Sequence, residues 1–520
     1  MRRRRRRTTA LGLALMLALC SCAAASAAGI GSMVIGIQST KTLTIRPFEP
    51  QERDMLSVYN VVYESLITID DSYVPQGSLA RSWETTNNGK TWTFHLRDDV
   101  VFSDGTKLTA RDVAASAQYI LDKALDENIT DHGFYMNLKY FVSSISATDE
   151  TTVVVKAKRN CFGLLYAMNF PVVPADRVAA DNPPGSGPYY IETFRAGDYL
   201  WLKANPLWWR AQPEIREIML DFHETATAVI ESYEYARVDT IFTRSIASAQ
   251  YRSGTSSLTM SCRTNQLECL LMNNNSSELT KEVRKAIRAA LDRSKIITNV
   301  YSGMAQATNM PFYPGTWMYN EALDPLYTRD LDEARRLLEE AGWGDSDENQ
   351  ILDRTNSEGK TVNLHLRFYV YEEPDNDVRV EAANQIASQL EEIGISCKIE
   401  NMTLENIQTK LDAGSFDLAL VSFAMDFCPD PGFLLMRGNT GNYSRYKSTK
   451  MTELCEALRK EPTQEGYRAK LMEIQALFAE DCPFLCLYYR MGNVITRNMY
   501  TTARDVREYE LLRGAESFHQ

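Results

Sequence analysis

Cysteine, histidine and carboxylate are the side chains of this 520-residue chain with metal, redox or catalytic chemistry to offer, and there are 10, 5 and 68 of them. Their spacing excludes most of that chemistry. No Cys-x-x-Cys occurs, and His95, His132, His223, His365 and His519 form no metal-ligand pattern with the cysteines. Gly-x-Ser-x-Gly, His-Glu-x-x-His and the phosphate-binding Gly-x-x-x-x-Gly-Lys-Ser/Thr are absent as well. Carboxylates could serve glycoside hydrolysis, yet nothing singles out a pair, so a secreted hydrolase stands only as the alternative of a different class. The chain is expected to need no metal and no cofactor. Eight cysteines follow Cys22: Cys161, Cys262, Cys269, Cys397, Cys428, Cys455, Cys482 and Cys486. Their even number suits disulfides in an oxidising compartment, and equally suits small apolar residues in a core.

Cys22 is a different case. Six arginines at 2–7 precede a short apolar run at 10–19, the layout of a secretory signal peptide at 1–21. Leu19-Cys20-Ser21-Cys22 then resembles a bacterial lipobox, which would put acyl chains on Cys22. The competing cut is of the Ala-x-Ala type within 25–28 and would release a soluble protein. Acyl chains bury about 0.8 kcal/mol per CH₂, so a multiply acylated Cys22 would hold the protein on a membrane surface. The net charge of −12 becomes about −18 once the six arginines are removed. So acidic a chain is no partner for nucleic acid, which demands clustered Lys and Arg. Hydrophobic residues make up 44 %, an ordinary globular share, and the length allows two to four domains.

The clearest elements lie between 362 and 423. Val362, Leu364, Leu366, Phe368 and Val370 alternate as in a strand, and a helix follows at 377–393 with Ala383, Ile386, Leu390 and Ile393 on one face, stopped by Gly394. Ile395, Cys397 and Ile399 alternate again, a second helix runs over 404–411 to Gly414, and 416–423 is an apolar strand. A β-α-β-α-β unit of this kind makes a parallel sheet with ligands beyond the carboxyl ends of its strands, which points to Tyr371, Glu372 and Asp426. Thr280 is placed to cap a helix at 281–291, and Asp330 or Asp332 a helix ending at Gly342. In the first half, Asn88-Gly89 between alternating segments predicts a hairpin, and Thr109-x-x-Asp112 a capping box opening a helix to about residue 121.

Several segments resemble, in order, one family. Leu79-Ala80-Arg81-Ser82-Trp83, then Gly89-Lys90-Thr91-Trp92-Thr93-Phe94-His95-Leu96-Arg97, then Val101-Phe102-Ser103-Asp104-Gly105 with Leu108-Thr109-Ala110-Arg111-Asp112-Val113 form the longest match. Gly185-Ser186-Gly187-Pro188-Tyr189, Asn205-Pro206-Leu207-Trp208-Trp209, Val283-Arg284-Lys285-Ala286-Ile287 and Leu337-Leu338-Glu339-Glu340-Ala341-Gly342-Trp343 follow. Together they are similar to the extracellular solute-binding proteins of family 5, the peptide, oligopeptide and nickel substrate-binding lipoproteins of ABC transporters.

That resemblance implies an α/β, two-lobed, type II periplasmic-binding-protein-like fold. Lobe I would comprise 22–274 and 481–520, with a small inserted subdomain at about 60–180, and lobe II 275–480. A monomer would capture peptides between the lobes and present its closed form to the transmembrane subunits of a permease. Oligosaccharide, nickel chelate or haem are the alternative solutes. In Phe423-Ala424-Met425-Asp426-Phe427-Cys428-Pro429-Asp430-Pro431, Asp426 stands where the family pairs an Asp with the ligand's α-ammonium. A loop Asp that caps a helix is its other reading. Ser422-Phe423 replaces the family's Gly-Trp, so Phe423 would be the aromatic platform or an ordinary core ring. Ser39, Thr40 and Tyr189 would approach the cleft from the first lobe, Tyr371 and Tyr443 from the second. Arg367 and Arg437 are candidates for a ligand carboxylate, and a Cys269–Cys428 disulfide or two free thiols would lie near the crossovers.

Overall fold

The computed structural model describes residues 31–39, 42–49, 52, 54–123, 135–253, 257–356, 358–373, 376–497 and 506–519. Thr40 and Cys22 lie outside them. The 362–423 region folds as its periodicity requires. Strands His365–Tyr371, Ser396–Met402 and Leu418–Ala424 are parallel, with His365–Tyr371 between the other two, and helices Val378–Glu391 and Leu404–Ala413 make the crossovers. The alternation has a plain cause: Leu364, Leu366, Phe368 and Val370 are all buried, facing one layer. The Thr403 side chain caps the second helix, and Gly414 ends it in the left-handed conformation. Thr280 and Asp330 cap Lys281–Ala290 and Leu331–Glu340 in the same way.

This unit is one end of an eleven-stranded sheet, ten strands in a row with Ala305–Ala307 pairing with Phe484–Thr496 off that row. Leu418–Ala424 pairs with the 15-residue strand Leu258–Met272, which pairs with Phe484–Thr496. Beyond that come Thr240–Thr243, Ser32–Gln38, Glu217–His223, Tyr199–Ala204 and Tyr189–Arg195. The two long strands therefore carry the chain between the halves. Their register shifts between Arg263 and Leu267, and the segment after the shift, Leu267 to Met272, pairs with Leu418–Ala424 of the second half. The register shift and the change of partner thus fall near 263–267 and 489–491. An apolar run announces a strand but not the point at which it changes partners.

A separate four-stranded antiparallel sheet, Ala80–Thr86, Thr91–Leu96, Thr152–Ala157 and Val142–Ala147, forms the inserted subdomain with helices Ala110–Lys123 and Met136–Phe141. Its first hairpin turns at Asn88 and Gly89, both at positive φ, and Asp112 Oδ2 accepts from the Thr109 amide and hydroxyl at the helix start. The Gly185-Ser186-Gly187 turn passes so close to the helix Met55–Val62 that a Cβ on Gly185 would collide with the Val62 carbonyl oxygen. Only glycine permits that approach.

Where the halves join, a buried ionic network ties four segments together. Glu268, fully buried on one long strand, binds Arg379 Nη2 and Arg490 Nε, each at 2.8 Å. Glu373 Oε1 binds Arg379 Nη1 at 2.9 Å and Arg490 Nη1 at 3.0 Å. Burial drives the Glu268 carboxyl upward, but the two guanidinium groups outweigh it and hold the pKa at about 2. Among the described residues, no helix is long and apolar enough to cross a membrane.

Candidate functional site

The apolar strand Leu418–Ala424 ends at the edge of a large cavity. Met425 still donates its amide to Asn265 O at 2.9 Å, after which Pro429 and Pro431 forbid further pairing and the chain turns. Asp426 shapes that turn, with Oδ1 accepting from the Cys428 amide at 2.6 Å. Its Oδ2 accepts from Asn137 Nδ2 at 3.0 Å, a bond that reaches from the inserted subdomain to the second half. Asp430, four residues on, is neutralised: Arg459 binds it through Nε at 2.7 Å and Nη2 at 3.1 Å, and its Oδ1 accepts the Gly432 amide. No cation among the described residues pairs with Asp426.

Asp426 lines a cavity of about 890 Å³ together with Asn137, Arg159, Phe433 and Arg459, and also a neighbouring one of about 260 Å³ reached by Tyr73, Arg263 and Arg507. The larger volume falls in the roughly 300–1,000 Å³ range of small-molecule sites. The carboxylate is open to this space yet surrounded by protein. Loss of bulk solvent raises its pKa to about 6, against the Asn137 and Cys428 hydrogen bonds that favour ionisation. An apolar void of about 20 Å³ among Met33, Ile35 and Leu220 has room for roughly one water and no solute.

The remaining expected residues are not gathered here. Tyr189 is a correction: it is fully buried in the first half, and its hydroxyl donates to Ile215 O at 2.8 Å, so the turn that carries it packs its ring inward. Ser39 is buried, with its hydroxyl donated to Glu52 Oε2 at 2.5 Å, and lines none of these cavities. Phe423 is buried, stacked on Tyr443 at 6.4 Å and edge-on to Phe433, so it backs the cavity wall and does not form it. Tyr443 accepts from Gln408 Nε2, and Tyr371 lies under the Arg379 guanidinium. Arg367 is engaged by Asp417 at 2.9 Å, and neither it nor Arg437 lines either of these two cavities. All eight described cysteines are free thiols; Cys269 faces Cys486 across the long strands, not Cys428. Asp345, Asp347 and Asp353 cluster in the 343–359 loop, where Asp353 is engaged by the Ser346 amide and hydroxyl.

Sequence reading missed Asn137, Arg159 and Arg459. Asn137 and Arg159 belong to the inserted subdomain, about 270–290 positions from Asp426, and no local pattern marks them. A carboxylate without a cation, at the wall of a cavity between chain segments, is suited to receiving a positively charged ligand group.

A model of the bacterial extracellular solute-binding proteins, family 5 middle, matches residues 74–445. The oligopeptide-binding protein AppA of Bacillus subtilis is 24 % identical over 486 residues, covering 88 % of this chain and 86 % of that one. Its solved structure in complex with a nonapeptide aligns over 94 % of this chain and 98 % of the other at a TM-score of 0.66. NikA from Brucella suis, in complex with Fe(III)-EDTA, aligns over 94 % and 99 % at a TM-score of 0.77 and 19 % identity. At these identities the structures speak for the two-lobed fold.

Proposed function

The chain belongs to the bacterial extracellular solute-binding proteins of family 5, and from that premise we propose that it captures peptides between its lobes and hands them to the permease of an ABC importer. One observation carries this reading: Asp426 faces the 890 Å³ cavity with no cationic partner among the described residues. A peptide's α-ammonium supplies that partner. Bringing the charge into a closing cleft costs several kcal/mol unless it is paired, and Asp426 pairs it.

The Asn137–Asp426 bond joins the inserted subdomain to the second half, a contact that opening of the lobes would break. A ligand that touches both sides shifts the open–closed equilibrium by its difference in affinity for the two states. The protein acts by binding and release, without turnover, as a monomer held at the outer face of the cell membrane by acyl chains on Cys22.

A thermal-shift screen of di- to octapeptides, oligosaccharides, nickel chelates and haem tests the solute class, since a ligand at 100 times its Kd stabilises by about 2.7 kcal/mol. Stabilisation by peptides alone supports the proposal. Stabilisation by sugar, chelate or haem alone replaces its solute, and hydrolysis of the peptides by pure protein replaces its class.

A further inference from the structure

The cavity wall that carries Asn137 also carries cations. Lys139 and Tyr140 lie on the helix Met136–Phe141, Lys158 and Arg159 just after the strand Thr152–Ala157, and all four line the 890 Å³ cavity with Asp426. The backbone holds them together, because the Lys158 amide donates to Phe141 O at 2.8 Å. Arg159 stacks on Tyr140, its Cζ 3.2 Å from the ring centroid. Its Nη1 is buried without a hydrogen-bond partner, and no carboxylate among the described residues lies within ion-pair distance of it. Arg459, the other guanidinium of this wall, is taken by Asp430.

A guanidinium cannot shed its charge at physiological pH, and its planar fork matches a carboxylate through two parallel hydrogen bonds. Stacking on Tyr140 fixes the plane of the fork at the cavity wall. The cavity thus presents a carboxylate without a cation and a guanidinium with no carboxylate at ion-pair distance among the described residues. We propose that Arg159 receives a carboxylate of the bound peptide, with Lys139 and Lys158 adding positive potential, so that the cleft selects short zwitterionic peptides held by amine at Asp426 and by carboxylate at Arg159. This rests on the peptide reading above. The carboxylate comes from the ligand's carboxy terminus or from an acidic side chain.

Calorimetry separates the cases, with trialanine and tetraalanine as free acids, their carboxy-terminal amides, and Ala-Ala-Glu amide as probes. The wild-type protein is expected to bind the acids about tenfold or more tighter than the amides. Arg159→Met is expected to erase that preference while leaving affinity for the amides unchanged, which also reports that the variant folds, and Arg159→Lys to restore part of it. Arg159-dependent binding of Ala-Ala-Glu amide, without an acid-over-amide preference for the alanine peptides, assigns the carboxylate to a side chain. Equal binding of all probes by the wild-type protein overturns the role of Arg159 and leaves the peptide reading standing. No binding of any probe overturns both.

Discussion

Asn137 and Asp426, 289 positions apart in the chain, meet through a hydrogen bond of 3.0 Å from Nδ2 to Oδ2. The amide is a neutral donor, and a neutral donor satisfies the carboxylate less well than a cation does. On the proposed reading, exchange of the one for the other would couple ligand capture to the fit of the two halves.

The affinity for peptide amines is expected to fall as the pH drops below about 6, where Asp426 takes up a proton, and to level off above roughly pH 7. Calorimetric titrations between pH 5 and 8 read this directly. A flat profile argues against Asp426 as the ammonium's partner.

The same group sets a stability trend of opposite sense. Its folded pKa, about 6, lies above the ordinary 3.8, so the folded state keeps a proton that the unfolded chain has released. Stability from this group is present below pH 3.8 and is lost as pH rises through 6. Asp426→Asn removes the loss, and is expected to raise the Tm of the ligand-free protein at pH 7.5 more than at pH 4.

Glu268→Gln leaves Arg379 and Arg490 buried with reduced compensation and is expected to cost about 3–5 kcal/mol in chemical denaturation. The Glu268 pKa of about 2 lies below the ordinary 4.5. Its contribution is therefore present above pH 4.5 and lost as pH falls toward 2.

Tyr189→Phe is expected to cost about 1 kcal/mol, through the unsatisfied Ile215 carbonyl, without altering peptide affinity. Denaturation and calorimetry on one preparation check both halves of that statement.

Much of the fold was legible because it is written locally. Leu364, Leu366, Phe368 and Val370 show their burial in their spacing, and Thr280, Asp330 and Thr403 cap helices by chemistry that needs no distant partner. The position of Asp426 just beyond a strand was legible for a similar reason: an apolar run ends two residues before it, and the prolines after it prevent the strand from continuing. Tyr189 was not, because a Gly-x-Gly-Pro-Tyr turn specifies backbone shape while the direction of the ring depends on Ile215 and Ala515, packed from elsewhere. Arg159, Glu268 and Asn137 are ordinary residues in their own segments. They acquire meaning only when the sheet order and the inserted subdomain bring them to Asp426 or to the crossing strands.

The most direct test of a peptide receptor built on Asp426 is calorimetric titration of trialanine into the wild-type protein and into Asp426→Asn. The expected result is saturable one-to-one binding that the substitution weakens by about 3 kcal/mol, on the order of 100-fold, with the fold intact. Equal affinity in the two proteins would contradict it.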